Sequence, residues 1–180
     1  GKVLITFDGY FKGVKAKFTV SSVLGHVLTS DFKSTHNKWD SVSPLELFSV
    51  PIVKLEANRK SRMCESLKRL AQGKDILSLW LDCDKEGENI CFEAIHCCYK
   101  AMNPRSYQQI YRAKFSSITK TDLKAAFNKM SALPNKNEAS AVDARQHLDL
   151  KIGIAFTRHL TTAILPALEI DSKLLSYGPC

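Results

Sequence analysis

The sequence predicts an α/β domain with a mainly parallel sheet flanked by helices, followed by a mostly helical segment. Two observations support this fold class. The run "ILSLWL" (Ile76–Leu81) is almost unbroken in apolar residues, which is typical of a strand buried on both faces of a parallel sheet. Segments with strand and helix patterns also alternate around this run, and that order favours a layered α/β architecture.

The first part of the chain predicts a β-hairpin. The strand-like segments "VLITF" (Val3–Phe7) and "VKAKFTVSSVL" (Val14–Leu24) lie on either side of the dipeptide Asp8-Gly9, which is a strong turn signal. Residues 34–51 are polar and contain two prolines. They predict a long loop with one helical turn.

Helices and strands then alternate. We expect a helix over residues 58–73, the buried strand over 76–81, a second helix over 87–102 and a further strand over 108–118.

Two more helices are expected after that strand. One begins at Thr119, where Asp122 three residues later gives a weak capping-box pattern. The chain changes character after Pro134, and a long helical pattern then covers residues 137–165. We therefore expect a domain boundary near residues 120–137.

Composition narrows the class of partner. The 180-residue chain has a net charge of +8 and a pI near 9.2, which favours a polyanionic partner such as nucleic acid. The sequence has no apolar run of 18 residues, so no membrane span is expected. No charged-then-apolar leader opens the chain, so secretion is not indicated.

The six cysteines predict neither a zinc site nor a disulfide framework. No C-x-x-C pair is present, and such pairs are usual in structural zinc sites. Four of the cysteines fall within or just before one predicted helix, which favours reduced, buried thiols. That interpretation predicts a reducing compartment, the cytosol or the nucleus.

Acidic residues cluster directly after the buried strand. Asp82, Asp84, Glu86 and Glu88 occupy four of seven consecutive positions, and ligands of open α/β sheets bind at the carboxyl ends of strands. The two-residue spacing directs the first three to one side of an extended chain. Their hard oxygen ligands suit Mg²⁺. The alternative is helix chemistry, because acids stabilise the first turn of a helix. That alternative explains Glu86 and Glu88 better than Asp82 and Asp84.

The acidic motif resembles a known family. D-x-D-x-E-G-E after an apolar strand resembles the Toprim signature of type IA DNA topoisomerases, and "WLDCDKEGENI" is similar to the version in the eukaryotic type III enzymes, with a lean towards the beta type. Further segments resemble that family in the same chain order: "SVLGHV" (Ser22–Val27), "HNKWD" (His36–Asp40), "YRAKFSSIT" (Tyr111–Thr119), "VDARQHLDLKIGIAFTR" (Val142–Arg158) and "SYGPC" (Ser176–Cys180).

The resemblance implies a fold and an activity. Residues 1–125 are expected to form a Toprim (Rossmann-like) domain lacking its first strand, and residues 126–180 the start of the helical DNA-binding domain. The implied enzyme cuts one DNA strand, passes another and reseals, without ATP, through a 5′-phosphotyrosine and with Mg²⁺ held by the Toprim acids. No tyrosine of this chain lies in a motif like that of the nucleophile, so we expect a fragment that is inactive alone.

The resemblance also implies roles for individual residues. The expected catalytic residues are Asp82, Asp84, Glu86 and Arg112, and the first three are the expected Mg²⁺ ligands. The expected nucleic-acid-binding residues are His26, Arg112, Arg145, Asp149, Ser176 and Gly178.

The residues themselves leave alternatives open at three of these positions. His26 could be an ordinary loop histidine, and Arg112 could pair with an acid at the edge of the core. Arg145 and Asp149 are i and i+4 on one helix and could form a surface ion pair.

Single-stranded DNA is the expected partner, with RNA as an alternative. The family adds a RecQ-type helicase, an OB-fold or Tudor-domain accessory protein, and nuclear localisation with the cytoplasm as an alternative. Two competing functions are a non-catalytic Toprim-type nucleic-acid-binding module and another Toprim enzyme, a nuclease or primase. The E-G-E ending and the later A-R-x-x-x-D helix argue against the second.

Overall fold

A computed structural model describes residues 4–39, 41–104, 109–168 and 173–178. The chain forms two compact units: Gly1–Leu28 with Glu56–Val142, and Thr29–Leu55 with Asp143–Cys180. The division predicted at residues 125 and 126 did not anticipate that residues 29–55 belong with the C-terminal segment. No helix in the described ranges is long and apolar enough to cross a membrane.

Strands and helices alternate through most of the chain, as predicted. The elements are β1 (Leu4–Phe11), β2 (Val14–Ser21), β3 (Leu28–Phe32), β4 (Ile52–Glu56), α1 (Met63–Ala71), β5 (Leu77–Leu79), α2 (Lys85–Cys98), β6 (Ile110–Arg112), α3 (Lys120–Asn128), β7 (Ser131–Ala132) and α4 (Lys136–Ala163). The 34–51 loop holds one short 3₁₀ turn, Glu46–Phe48. The α/β class is therefore confirmed, while β3 and β4 were not foreseen.

The hairpin is confirmed, but its turn is not at Asp8-Gly9. β1 and β2 pair antiparallel along their full length, and the chain reverses at Lys12-Gly13. Both turn residues adopt the left-handed conformation, with φ of 48° and 82°. Glycine at the second position makes this turn inexpensive.

Asp8 and Gly9 lie inside β1 and pair with Lys17 and Ala16. A Cβ atom added to Gly9 would lie 3.0 Å from Cε2 of Phe18. Gly9 therefore gives the aromatic ring room on the face of the ladder, and its role is packing rather than chain reversal.

The central sheet contains the predicted parallel pair. β5 runs parallel to β6, with Leu77 opposite Ile110 and Leu79 opposite Arg112, and β7 adds to β6 antiparallel. The sheet is thus mixed rather than mainly parallel. Both central strands are also shorter than the sequence pattern suggested.

Helix starts follow local capping chemistry. Thr119 caps α3 by accepting a hydrogen bond from the backbone N–H of Asp122, as predicted. Helix α2 begins two residues earlier than predicted because Asp84 caps it. The long helix α4 is confirmed within one or two residues at each end.

Each unit has its own apolar core. In the first unit, residues from β5, α2 and β6 form the central cluster: Leu79, Cys91, Ala94, Ile95 and Ile110. In the second unit the buried cluster is Phe32, Leu47, Val50 and Ala155.

The cysteines differ from the sequence prediction at one pair. Cys64 in the first turn of α1 and Cys97 near the end of α2 form a disulfide, with their Cα atoms 5.1 Å apart. The expectation of reduced thiols is wrong for these two, because α1 packs beside α2 and sequence spacing does not show that contact. Cys91 and Cys98 are buried free thiols, and burial raises their pKa values to about 12 and about 11. The expected compartment stays a prediction.

Candidate active site

The candidate site is the turn that joins β5 to α2. The side chain of Asp84 accepts a hydrogen bond of 2.6 Å from the backbone N–H of Gly87. This is an N-cap, which satisfies one of the unpaired N–H groups at a helix start. Asp84 thus stabilises the start of the helix, a role that the sequence pattern assigned more readily to Glu86 and Glu88.

Gly87 lets the start of α2 approach the end of β5 closely. A Cβ atom at this position would lie 2.0 Å from the backbone oxygen of Asp82, which is far inside van der Waals contact. Only glycine fits without moving one of the two elements. The acidic turn is therefore fixed by backbone packing.

Arg112 stabilises the same turn through buried hydrogen bonds. Its side chain is fully buried, and it donates to the backbone carbonyls of Leu81 (2.9 Å), Asp82 (2.7 Å) and Ala113 (2.7 Å). Its Nε donates to Oε1 of Glu88 at 2.9 Å. The guanidinium thus joins the ends of β5 and β6 to the first turn of α2.

The structure corrects the predicted role of Arg112. A side chain with 0% exposure whose nitrogens donate to Glu88 and three carbonyls is not placed to contact a DNA phosphate. The alternative left open by the sequence, an ion pair with an acid in the core, is the one found. Arg112 therefore reaches the backbone carbonyl of Asp82 and the carboxylate of Glu88.

Glu88 is a buried structural residue that sequence reasoning missed. Its side chain is 1% exposed, and its Oε2 accepts a 2.6 Å hydrogen bond from the backbone N–H of Asn135, next to the start of α4. Lys114 lies 3.7 Å from its Oε1. The buried charge is compensated from several directions, as a buried carboxylate requires.

The three predicted metal ligands have different environments. Asp82 and Asp84 are exposed, whereas the 40%-exposed side chain of Glu86 lies 3.2 Å from Nε2 of His26. Among residues 4–39, 41–104, 109–168 and 173–178, no three His, Cys, Asp or Glu side chains are arranged to hold a metal ion. The role of Asp82, Asp84 and Glu86 as joint Mg²⁺ ligands stays a prediction.

His26 lies at this site, beside the start of α2. It follows Gly25, whose φ is 66°, and its two ring nitrogens face Glu86 and Glu93. Glu93 was not singled out from the sequence. The available signal was its spacing, because Glu93 lies seven residues after Glu86 and therefore on the same face of α2.

The other predicted DNA-binding residues lie in the second unit. Arg145 and Asp149 are exposed on α4, and Ser176 and Gly178 are exposed in the segment 173–178. The backbone N–H groups of Leu175 and Tyr177 bond to the hydroxyls of Thr161 and Thr157 on α4, which fixes this segment on either side of Ser176. DNA contact by these four residues stays a prediction.

An acid-rich turn at the carboxyl end of a parallel strand, followed at once by a capped helix, is the arrangement that the sequence suggested for a Toprim domain. The chain belongs to the Toprim domain family, whose model matches residues 4–118. Membership of this family suggests a divalent metal ion.

Curated relatives agree with this assignment. The chain is 48% identical to DNA topoisomerase 3-beta-1 of Homo sapiens and 45% identical to DNA topoisomerase 3-beta of Arabidopsis thaliana, in each case over 97% of this chain and 20% of the relative. It is 40% identical to human DNA topoisomerase 3-alpha over 97% of this chain and 17% of the relative. The chain therefore spans about a fifth of the length of the relatives that it matches.

Proposed function

We propose that this chain provides the Toprim site of a type IA DNA topoisomerase, which cuts one DNA strand, passes another and reseals without ATP. The observation that carries the proposal is the β5–α2 turn. Two exposed acids, Asp82 and Asp84, project from a backbone that Arg112 and Gly87 hold in place. Rigid placement of charged groups where a reaction develops charge is how such sites stabilise a transition state.

The proposed cation is Mg²⁺, held by Asp82 and Asp84 with Glu86 beside them. The donor chemistry fits, because Mg²⁺ prefers oxygen and usually takes only one or two direct carboxylates, with waters and phosphate oxygens completing its shell. The cap bond of Asp84 uses Oδ1, and its second oxygen is not part of that bond. When bound, the ion supplies positive charge that stabilises phosphoryl transfer.

Single-stranded DNA is the proposed substrate. The net charge of +8 supports a polyanionic partner. The half-buried His26 and the exposed positions Arg145, Asp149, Ser176 and Gly178 are the proposed contacts. A RecQ-type helicase, an OB-fold or Tudor-domain accessory protein, and nuclear localisation are proposed on family resemblance alone.

The test is plasmid relaxation by the full-length protein carrying Asp82→Asn. We expect relaxation to fall about 100-fold or more, the loss typical of removing one group that stabilises charge in the transition state. Asp75→Asn is the matched control, because Asp75 is an exposed aspartate just before β5 and is not among the proposed ligands. Relaxation by Asp82→Asn at the wild-type rate would contradict the proposal.

Calorimetry separates catalysis from a non-catalytic nucleic-acid-binding module. We expect the chain to bind Mg²⁺, and Asp82→Asn and Asp84→Asn to weaken that binding while Asp75→Asn does not. Single-stranded DNA binding together with a full-length protein that neither relaxes plasmid nor binds Mg²⁺ would favour the module instead.

A further inference from the structure

The ring of His26 bridges two glutamates, Glu86 and Glu93, on one face of α2. Nδ1 of His26 lies 3.0 Å from Oε1 of Glu93, and Nε2 of the same ring lies 3.2 Å from Oε2 of Glu86. The two glutamates are seven residues apart on the helix. The ring therefore connects a site acid at the start of α2 to an acid two helical turns further on.

Glu93 is the most buried of these three side chains. Its side chain is 3% exposed, compared with 30% for His26 and 40% for Glu86. Its second oxygen, Oε2, accepts from the backbone N–H groups of Val27 at 2.8 Å and Leu28 at 3.1 Å. Glu93 thus fixes the backbone directly after His26 as well as its ring.

The chemistry of a carboxylate determines how the ring is presented. An ionised carboxylate only accepts hydrogen bonds, so a ring nitrogen bonded to an ionised Glu93 carries a hydrogen, and the same rule applies to Nε2 when it bonds to an ionised Glu86. Nδ1 is then committed to Glu93, and Nε2 is the ring atom directed towards Glu86. The partner of one ring nitrogen commonly sets the role of the other in this way.

We propose that Glu93 is a positioning residue for the Toprim site: it fixes the ring plane of His26 and the hydrogen on Nδ1, so that Nε2 faces Glu86 and the incoming DNA. The functional part of this inference rests on the proposed topoisomerase activity. Glu93 touches neither substrate nor metal and acts through His26.

The first test is NMR of the ring nitrogens, using ¹⁵N-labelled histidine in this chain, wild type and Glu93→Gln, at one fixed pH. In the variant the amide oxygen can still accept from Val27 and Leu28, while its NH₂ group meets Nδ1. We expect Nδ1 of His26 to carry a hydrogen in the wild type and to lose it in Glu93→Gln. An unchanged Nδ1 signal would overturn the proposal. Glu65→Gln, an exposed glutamate on α1, should change nothing.

The second test uses relaxation kinetics of the full-length protein. We expect Glu93→Gln to lower kcat about 10- to 100-fold, as loss of an orienting partner typically does, with the KM for DNA nearly unchanged. The variant should have no further effect in a His26→Ala background. A wild-type kcat, or an additional loss without His26, would overturn the positioning role. A wild-type protein that relaxes no DNA would overturn the proposed function, while the ring signals would still decide whether Glu93 holds Nδ1.

Discussion

The β1–β2 hairpin and the β5–α2 turn are stabilised by different means. The hairpin has a regular antiparallel ladder and a stacked pair, Phe7 and Phe18, with ring centroids 5.0 Å apart. Its backbone ladder joins residues close in sequence, while Phe11 and Phe18 also pack against the distant ring of Phe127. The strand pairing of β5 ends at Leu79. Buried charged side chains stabilise the β5–α2 turn that follows.

The partners in that turn are distant in sequence. Arg112 bonds to Glu88 across 24 residues and to the carbonyl of Leu81 across 31, and Asn135 bonds to Glu88 across 47. The proposed site therefore stands on long-range polar contacts. A change there should affect the whole unit, whereas a change at Gly13 in the hairpin turn, which has no neighbouring side chain within 4 Å of an added Cβ, should stay local.

The largest effect is expected from Arg112→Leu. The substitution leaves the buried Glu88 without its closest cation and leaves the carbonyls of Leu81 and Asp82 without the Arg112 donor. Removing one partner of a buried ion pair typically costs about 3–5 kcal/mol. We expect the free energy of unfolding, measured by urea denaturation, to fall by that amount.

The matched control is Lys114→Gln. Lys114 is the other cation near Glu88, but it is 54% exposed and 3.7 Å away, so its loss should change stability by no more than about 0.5 kcal/mol. An equal loss of unfolding free energy in the two variants would show that burial of the Arg112–Glu88 pair does not contribute to stability.

The next largest effect is expected from reducing the Cys64–Cys97 disulfide. The bond closes a loop of 33 residues between α1 and α2, and such crosslinks typically contribute about 2–4 kcal/mol. We expect reductant to lower the melting temperature and to accelerate amide exchange in α1 and α2 but not in the hairpin. The double variant Cys64→Ala/Cys97→Ala should show no response to reductant. A melting temperature that reductant leaves unchanged in the wild type would contradict the bond.

Gly87→Ala should have an intermediate effect. The new methyl group collides with the carbonyl of Asp82, so α2 and β5 must separate, and overpacking of this kind costs about 1–3 kcal/mol. The variant should also weaken Mg²⁺ binding in calorimetry, since Asp82 and Asp84 move with the backbone.

Gly153→Ala is the control for that substitution. Gly153 lies inside α4, and an added Cβ would have only an ordinary contact, 3.8 Å from the carbonyl of Tyr177. Alanine in a helix interior is favoured over glycine by about 0.5–1 kcal/mol, so this variant should be slightly stabilised. Destabilisation by both alanines would point to a general intolerance of glycine replacement rather than to the close approach at Gly87.

The same contrast explains what the sequence could predict. The run Ile76–Leu81, the Thr119 cap and the long helix α4 are set by neighbouring residues, and their patterns identified them. The position of the acidic turn followed from the same local evidence. These features need no knowledge of the tertiary fold.

The remaining features depend on contacts that a single sequence does not show. Nothing near Arg112 indicates that its partner is Glu88, and nothing near His26 indicates Glu93, which is 67 residues away. The hairpin turn was misplaced for a related reason. Asp8-Gly9 is the stronger turn dipeptide, but the strand pairing that stacks Phe7 on Phe18 requires reversal at Lys12-Gly13.

The smallest of these effects is expected from Gly13→Ala, which tests whether a change in the turn of the β1–β2 hairpin leaves the β5–α2 turn unaffected. Gly13 has φ of 82° and an added Cβ meets no atom within 4 Å, so the cost is backbone strain alone, about 1–2 kcal/mol for an L-residue in the left-handed region. Gly13→Asn should cost less, because asparagine tolerates that region. Faster amide exchange is expected in β1 and β2, with Mg²⁺ binding at the β5–α2 turn unchanged. If Gly13→Ala weakened Mg²⁺ binding as much as Gly87→Ala, the hairpin and the site would be one cooperative structure, and the distinction between local and long-range stabilisation would fail.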